Sequence, residues 1–206
     1  MARPRTVSDE AIHAATAAVL RRHGLQGTTV AAVAAQAGLS AAGLVQRVGS
    51  KRRLLLDFAR RSLDDGDTCF AAARDGARSP LQALRAALVA MTEPVRERTE
   101  LANSLSFLQL DLVDEEFRSI AAAHAHRVQQ RIAELLGEAV AAGELRPGVD
   151  ATALARTVHL THNGVLTVWP LTGTGPLEDD LRAAVDAVLA PHLAPHPARP
   201  TRGTRP

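Results

Sequence analysis

The side chains most able to do chemistry in this 206-residue chain are eight histidines and a single cysteine. His159 and His162 stand three residues apart, which puts both on one face of a helix, and His124 and His126 form a second close pair. No carboxylate or third donor stands near either pair in sequence, so the donor set of a metal centre is missing and no metal is expected. These residues read as satisfied or pocket-lining histidines. Cys69 has no second cysteine to resolve an oxidised form and reads as a buried or inert thiol. One cysteine also excludes an intramolecular disulfide framework and a Cys-based zinc ribbon. Ser, His and Asp in a catalytic order, a glycine-rich phosphate loop and paired carboxylates are all missing from the pattern. Nothing here indicates an enzyme, and no cofactor is required.

The basic side chains say more. Lysine and arginine together number 24, and only Lys51 is a lysine. Formal net charge is +2, but it is unevenly spread. Residues 1–55 hold Arg3, Arg5, Arg21, Arg22, Arg47, Lys51, Arg52 and Arg53 against Asp9 and Glu10, a balance of +6, so the rest of the chain carries −4. A basic head on an acidic body suits a duplex-binding module joined to a module with another task, although uneven charge also occurs on ordinary surfaces. Aromatics are only 2% and tyrosine is absent. That argues against stacking platforms for single-stranded nucleic acid.

The elements that must position these groups are helical. Hydrophobic residues are 46% and charged residues 22%, inside the globular range, and the length allows a sizeable core. Strand signals are nearly absent while alanine, the best helix former, is abundant, so the chain reads as all-α with about nine helices. Ser8 caps the first helix, whose apolar face is Ile12, Ala15, Val19 and Leu20 and which Gly24 ends. Thr29 caps a short second helix closed by Gly38, Ser40 caps a third ending near Val48, and Ser50 caps a longer fourth that buries Leu54, Leu55 and Phe58. Past a break at Gly76–Ser79 the helices lengthen. Ser79-Pro80 starts one that carries Leu81, Leu84, Leu88 and Met91. Leu101, Leu105, Leu108 and Leu112 mark the next, and Phe117 to Leu135 mark a long one ending at Gly143. Asp150 caps another running through Val168, and Leu177 to Leu189 form the last. Residues 194–206, rich in proline and arginine, read as a disordered basic tail. Apolar runs fall short of the roughly 18–20 residues of a transmembrane span, and the charged N-terminus is no signal peptide, so a soluble cytoplasmic protein with no membrane partner is expected.

Two short helices joined through Ala37-Gly38-Leu39-Ser40 have helix-turn-helix form: Ala34 permits close approach, Gly38 makes the turn and Leu39 plugs the core. With its neighbours the motif resembles the tetracycline-repressor (TetR) family of bacterial transcriptional regulators. The match is carried by Ile12, Ala14-Ala15, His23-Gly24-Leu25, Thr28-Thr29-Val30, Val33-Ala34, Ala37-Gly38-Leu39-Ser40, Leu44, Ser50-Lys51 and Leu54-Leu55. A weaker echo, Gly143-Glu144-Leu145-Arg146-Pro147 with Asp150, resembles the family's C-terminal helix junction.

The resemblance implies a helix-turn-helix head over residues 5–65, with the motif at about 29–48, and a C-terminal ligand-binding and dimerisation domain over residues 79–193. In that reading Ala41, Ala42, Gly43, Gln46 and Arg47 meet the major groove of double-stranded DNA, and Ser40 is a further DNA-binding residue. Gln46 suits adenine, and Arg47 suits guanine or a phosphate. Thr28, Thr29 and Ser50 lie at helix starts suited to phosphate. Lys51 opposes its own helix dipole, which makes sense if it grips phosphate as a point charge. Arg3 and Arg5 would form a flexible arm. Two positions depart from the family: Val45 stands where a Tyr is usual and Val48 where a Phe is usual, losses that Arg47, Arg52 and Arg53 could offset.

Met91, Phe107, Phe117 and Trp169 are residues more often found as plain core, but the family's middle helices surround a small-molecule effector site, which implies pocket roles for them and for Asn103, Gln109, His124, His159, His162 and Asn163. The last two helices of each protomer would form a homodimer on a pseudo-palindromic operator. The expected function is a repressor released by its effector. An effector-independent regulator, an activator, or a helical metal protein or enzyme are the alternatives.

Overall fold

The computed structural model describes residues 7–92, 95 and 97–195. Among these, ten α-helices follow one another with no strand: α1 (Asp9–Gly27), α2 (Val30–Ala37), α3 (Ala41–Val48), α4 (Lys51–Gly76), α5 (Pro80–Ala90), α6 (Arg98–Leu105), α7 (Leu108–Val113), α8 (Glu115–Ala141), α9 (Ala151–Thr172) and α10 (Leu177–Leu189). Arg3, Arg5 and the basic tail from residue 196 onward lie outside the described residues.

The caps stand where the sequence puts them. Ser8, Thr29, Ser40, Ser50 and Ser79 each accept a bond from the backbone N–H three residues on, and Asp150 accepts from Thr152 and Ala153. Each satisfies an orphan donor of a first turn, a contribution of about 1 kcal/mol. Gly24, with the non-helical angles φ 65° and ψ −178°, breaks α1 where the sequence ends it, and a short further turn follows to Gly27. One boundary differs from expectation. The expected Leu101–Leu112 helix breaks at Ser106-Phe107 into α6 and α7, which makes ten helices where about nine are expected. Ser106 is held by a distant partner: its hydroxyl oxygen accepts from the Leu25 backbone N–H at 2.8 Å. No local periodicity can report that bond.

Four apolar clusters make the interior. Ile12, Ala15, Val19, Val33, Ala34, Leu44 and Leu54 join α1 to α4 in the head. Leu20, Leu25, Leu55, Leu56 and Phe117 tie α1 and α4 to α8. Leu101, Trp169, Leu177 and Leu181 join α6, α9 and α10. The largest cluster runs through α4, α5, α8, α9 and α10 and includes Phe70, Leu84, Leu88, Ile132, Leu135, Val158 and Leu189. α4 therefore contributes to both the head and the body, and it also carries the residue after the third helix into the rest of the molecule.

Candidate nucleic-acid interface

The helix-turn-helix is built by small residues. Ala34 is almost fully buried between helices, and Gly38 takes the left-handed conformation (φ 72°, ψ 29°) that ends α2. A side chain there would be strained, which is why glycine stands at this turn. Leu44 points into the core with 0% exposure. The opposite face of α3 presents Ala41, Ala42, Val45 and Gln46 to solvent, with Gly43 and Val48 half-buried at its edges. The face that enters a groove in such a motif is thus open and rigidly backed.

Around it the polar groups divide. Thr29, Ser40 and Ser50 are exposed, and each cap uses only the oxygen, leaving a hydroxyl proton to donate. Thr28 departs from its expected role. It is fully buried, and its hydroxyl donates to the Gly24 carbonyl at 2.7 Å, closing the kinked end of α1. Arg47 is turned back, its guanidinium donating to Asp9 at 2.6 Å and to the Val7 carbonyl. Arg52 is likewise engaged, with Asp114 at 3.0 Å and Glu116 at 2.8 Å, so of the arginines expected to offset the missing aromatics two are spoken for. Arg53 is exposed.

Lys51 resolves the dipole conflict. Its ammonium donates to the Leu25 carbonyl at 3.0 Å, near the C-terminal end of α1, where a cation is favoured. An ammonium has three N–H donors, so two remain for an anion.

Residues 12–58 match the family profile described as bacterial regulatory proteins, tetR family, and residues 107–185 match the tetracyclin repressor-like C-terminal domain. The chain belongs to the TetR family. It is accordingly a DNA-binding transcriptional regulator. Solved structures share its fold. A TetR regulator from Haloarcula marismortui superposes with a TM-score of 0.72 at 20% identity, covering 89% of this chain and 97% of that one. SmeT of Stenotrophomonas maltophilia, the repressor of the multidrug efflux pump SmeDEF, gives 0.64 at 23% identity over 97% and 96%. A TetR-family regulator from Rhodococcus sp. gives 0.67 at 22% over 88% and 96%. No curated protein shows significant similarity to the chain.

Behind the TetR head, the expected pocket residues fall into separate places. Phe107 and Phe117 stack edge-to-face at 5.7 Å, Phe107 also meets Phe58, and Phe117 is buried where α1, α4 and α8 join. Trp169 is core between α6 and α10, its indole N–H donating to the Gly175 carbonyl. Asn103 bridges helices, donating to the Arg21 carbonyl of α1 at 2.9 Å. Asn163 and Gln109 are exposed. Met91 packs at the edge of the largest cluster, at the end of α5.

Three of them do meet. His159 of α9 lies close enough to His124 of α8, and to His162 on its own helix, for charges on the rings to repel. His162 is buried, with its Nε2 3.1 Å from the Leu88 carbonyl of α5. His124 Nε2 and His159 Nδ1 are buried without a partner. Burial, and then repulsion from the other two rings, pushes His159 down to about 4, and burial lowers His124 and His162 as well. All three are therefore held neutral near pH 7. A Cβ on Gly66 of α4 would come within 3.2 Å of His124 Nε2, so a larger residue here would push the ring back by a few tenths of an ångström. The recess beside it, walled by Leu63, Asp67 and Arg127, is too tight for a water molecule. Among the described residues no group of three or more His, Cys, Asp or Glu is arranged to hold a metal ion.

Two features have no counterpart in the sequence reading. An ion-pair ladder clamps α4 to α8: Arg60 to Glu116 at 2.8 Å, Asp67 to Arg131 at 2.9 Å and Arg74 to Glu138 at 2.6 Å, besides the Arg52 pairs. Charge alternation along both helices was its only signal. A groove of about 630 Å³ opens where the 146–150 loop meets the start of α9 and the end of α10. It lies at the Gly143–Pro147 junction, outside the expected pocket.

Proposed function

We propose that this chain is a homodimeric repressor whose head, residues 5–65, binds a pseudo-palindromic operator in the cytoplasm and is released when a small molecule enters the body, residues 79–193. It acts by binding alone, without catalysis. The observation that carries this is α4. One continuous helix starts with Lys51 at the DNA face and passes Gly66 against the imidazole of His124, whose Nε2, like His159 Nδ1, is buried without a partner. A ligand that satisfies those nitrogens must open the closed recess and displace α4 at Gly66. Rigid helix motion carries the shift to Lys51 and α3. α6 offers a second route, because Asn103 and Ser106 grip the α1 backbone at Arg21 and Leu25.

Dimerisation is supported by the outer face of α9. Leu160, Val168 and Leu171 are 59%, 50% and 77% exposed, and with Gly164 they form a stripe without charge. Beside it α10 turns Ala183 and Ala187 outward, small enough for close packing. A two-fold axis through this surface buries both stripes in a four-helix interface.

The test is a Val168→Asp variant in sedimentation and duplex-binding experiments. A monomer that binds a selected operator more than about a hundredfold more weakly is expected, because the two linked half-site contacts are lost. A Val168→Asp protein that remains dimeric sinks the α9 interface.

A further inference from the structure

The base-reading surface of this regulator is poor in hydrogen-bonding groups. Of the five exposed residues of α3, Ala41, Ala42 and Val45 are apolar, Gln46 has an amide and Arg47 a guanidinium. Val45, at 43%, is one of the exposed large hydrophobic residues among those described, yet the rest of its helix is backed by packed core. Arg47, the side chain best suited to guanine, is tied to Asp9 and to the Val7 carbonyl on the flank of the motif. Discrimination by polar pairing is thus left to one amide.

The only apolar group that base pairs present in the major groove is the C5-methyl of thymine. We infer that this regulator reads its operator chiefly through thymine methyl groups, contacted by Val45, Ala41 and Ala42, with Gln46 reading an adjacent adenine. This rests on the DNA-binding reading of α3 and names the base chemistry it recognises. Ala41 and Val45 are four residues apart, about 6 Å along the helix axis. That is close to two base-pair steps of about 3.4 Å, so one face can meet methyl groups on base pairs two steps apart. The occupant follows from position: the patch continues the helix-turn-helix face, and Lys51 and Arg53 flank it with positive charge. The valine that replaces the family's usual tyrosine is then a contact in its own right, exchanging a phenol's reach to phosphate for a methyl-sized surface against thymine.

The experiment uses the full-length protein and a random-sequence duplex pool. After selection, each thymine of the enriched half-site is replaced singly by deoxyuracil, which removes the methyl and leaves base pairing intact, and affinity is read by fluorescence anisotropy at fixed salt. Two or three positions per half-site are expected to lose about fourfold each, the worth of one buried methyl-sized group. In a Val45→Ala protein the loss at one of those positions shrinks to near unity, while the others persist. Deoxyuracil tolerated at every position, with tight binding retained, overturns methyl reading and leaves DNA binding standing. A guanine-rich selected site whose preference vanishes in Arg47→Ala also overturns it, since Arg47 has then left Asp9 to read guanine. Absence of any enriched sequence, with no salt-dependent duplex binding, overturns the DNA-binding reading itself.

Discussion

The DNA-facing head and the histidine centre both depend on small residues that let helices approach, yet the hydroxyls of the first and the imidazoles of the second are treated in opposite ways, although His13 of the head also leaves a buried Nδ1 unpaired. In the head, each hydroxyl finds its partner within one helical turn: Ser40 with the Gly43 N–H, Thr29 with Ala32, Ser50 with Arg53, and Thr28 with the Gly24 carbonyl. In the body, His124 and His159 come from different helices and leave buried nitrogens unpaired. The caps of a surface that must meet DNA in one register are local bonds that do not depend on the rest of the fold. The buried centre stores unsatisfied polar groups and stays stable only while its rings are neutral. The first arrangement suits a rigid reader, and the second suits a site that a ligand can complete.

The largest test of that contrast sets two buried side chains against each other. Leu44→Ala should cost about 2–5 kcal/mol, because a fully buried leucine leaves a cavity under the recognition helix. Chemical denaturation should show the loss, and duplex binding should fall with it. His159→Leu should change stability at pH 7 by less than about 1 kcal/mol, since an apolar group replaces an unpartnered polar one. A severe loss in His159→Leu would mean that the ring is satisfied in the fold and that the contrast is false.

Next comes pH. His159 sits near 4 in the fold, below the ordinary 6.5, so between those values the unfolded chain binds the extra proton and stability falls as pH drops from 7 towards 4. Asp111 works the other way. Partial burial raises it from 3.8 to about 6, so the folded state takes up its proton first and stability rises as pH falls through that range. Melting temperature followed from pH 7 to 5 should decline less steeply in His159→Leu and more steeply in Asp111→Asn than in the parent. Identical slopes in all three would remove both assignments.

Smaller effects belong to the head's surface. Ser40→Ala should cost about 1 kcal/mol through the lost cap of α3. Arg61→Ala breaks an exposed pair with Glu10 and should change stability by only about 0–1 kcal/mol, less at high salt. If Arg61→Ala proved the costlier change in thermal unfolding, local capping would not be what holds the reader.

The helix order, the caps and the helix-turn-helix were legible because each depends on residues within about one turn of one another. Ser8, Thr29, Ser40, Ser50, Ser79 and Asp150 are cap residues by side-chain chemistry alone, and Gly38 is a turn residue because it lacks a Cβ. The same local rules misjudged Thr28. Its hydroxyl was assigned to phosphate, but the kink at Gly24 folds it onto a carbonyl.

Contacts between distant segments were decided only by the tertiary structure. Arg52 finds Asp114 and Glu116, Asn103 and Ser106 find the α1 backbone, and His124 comes to lie against Gly66. The expected pocket scattered for the same reason: Phe117 and Trp169 are as apolar as a cavity wall requires, but packing placed them in solid core. Residue type and spacing state what a side chain can bond to. Which partner it meets, when several of equal chemistry exist, depends on how long helices pack, and that is a property of the whole chain.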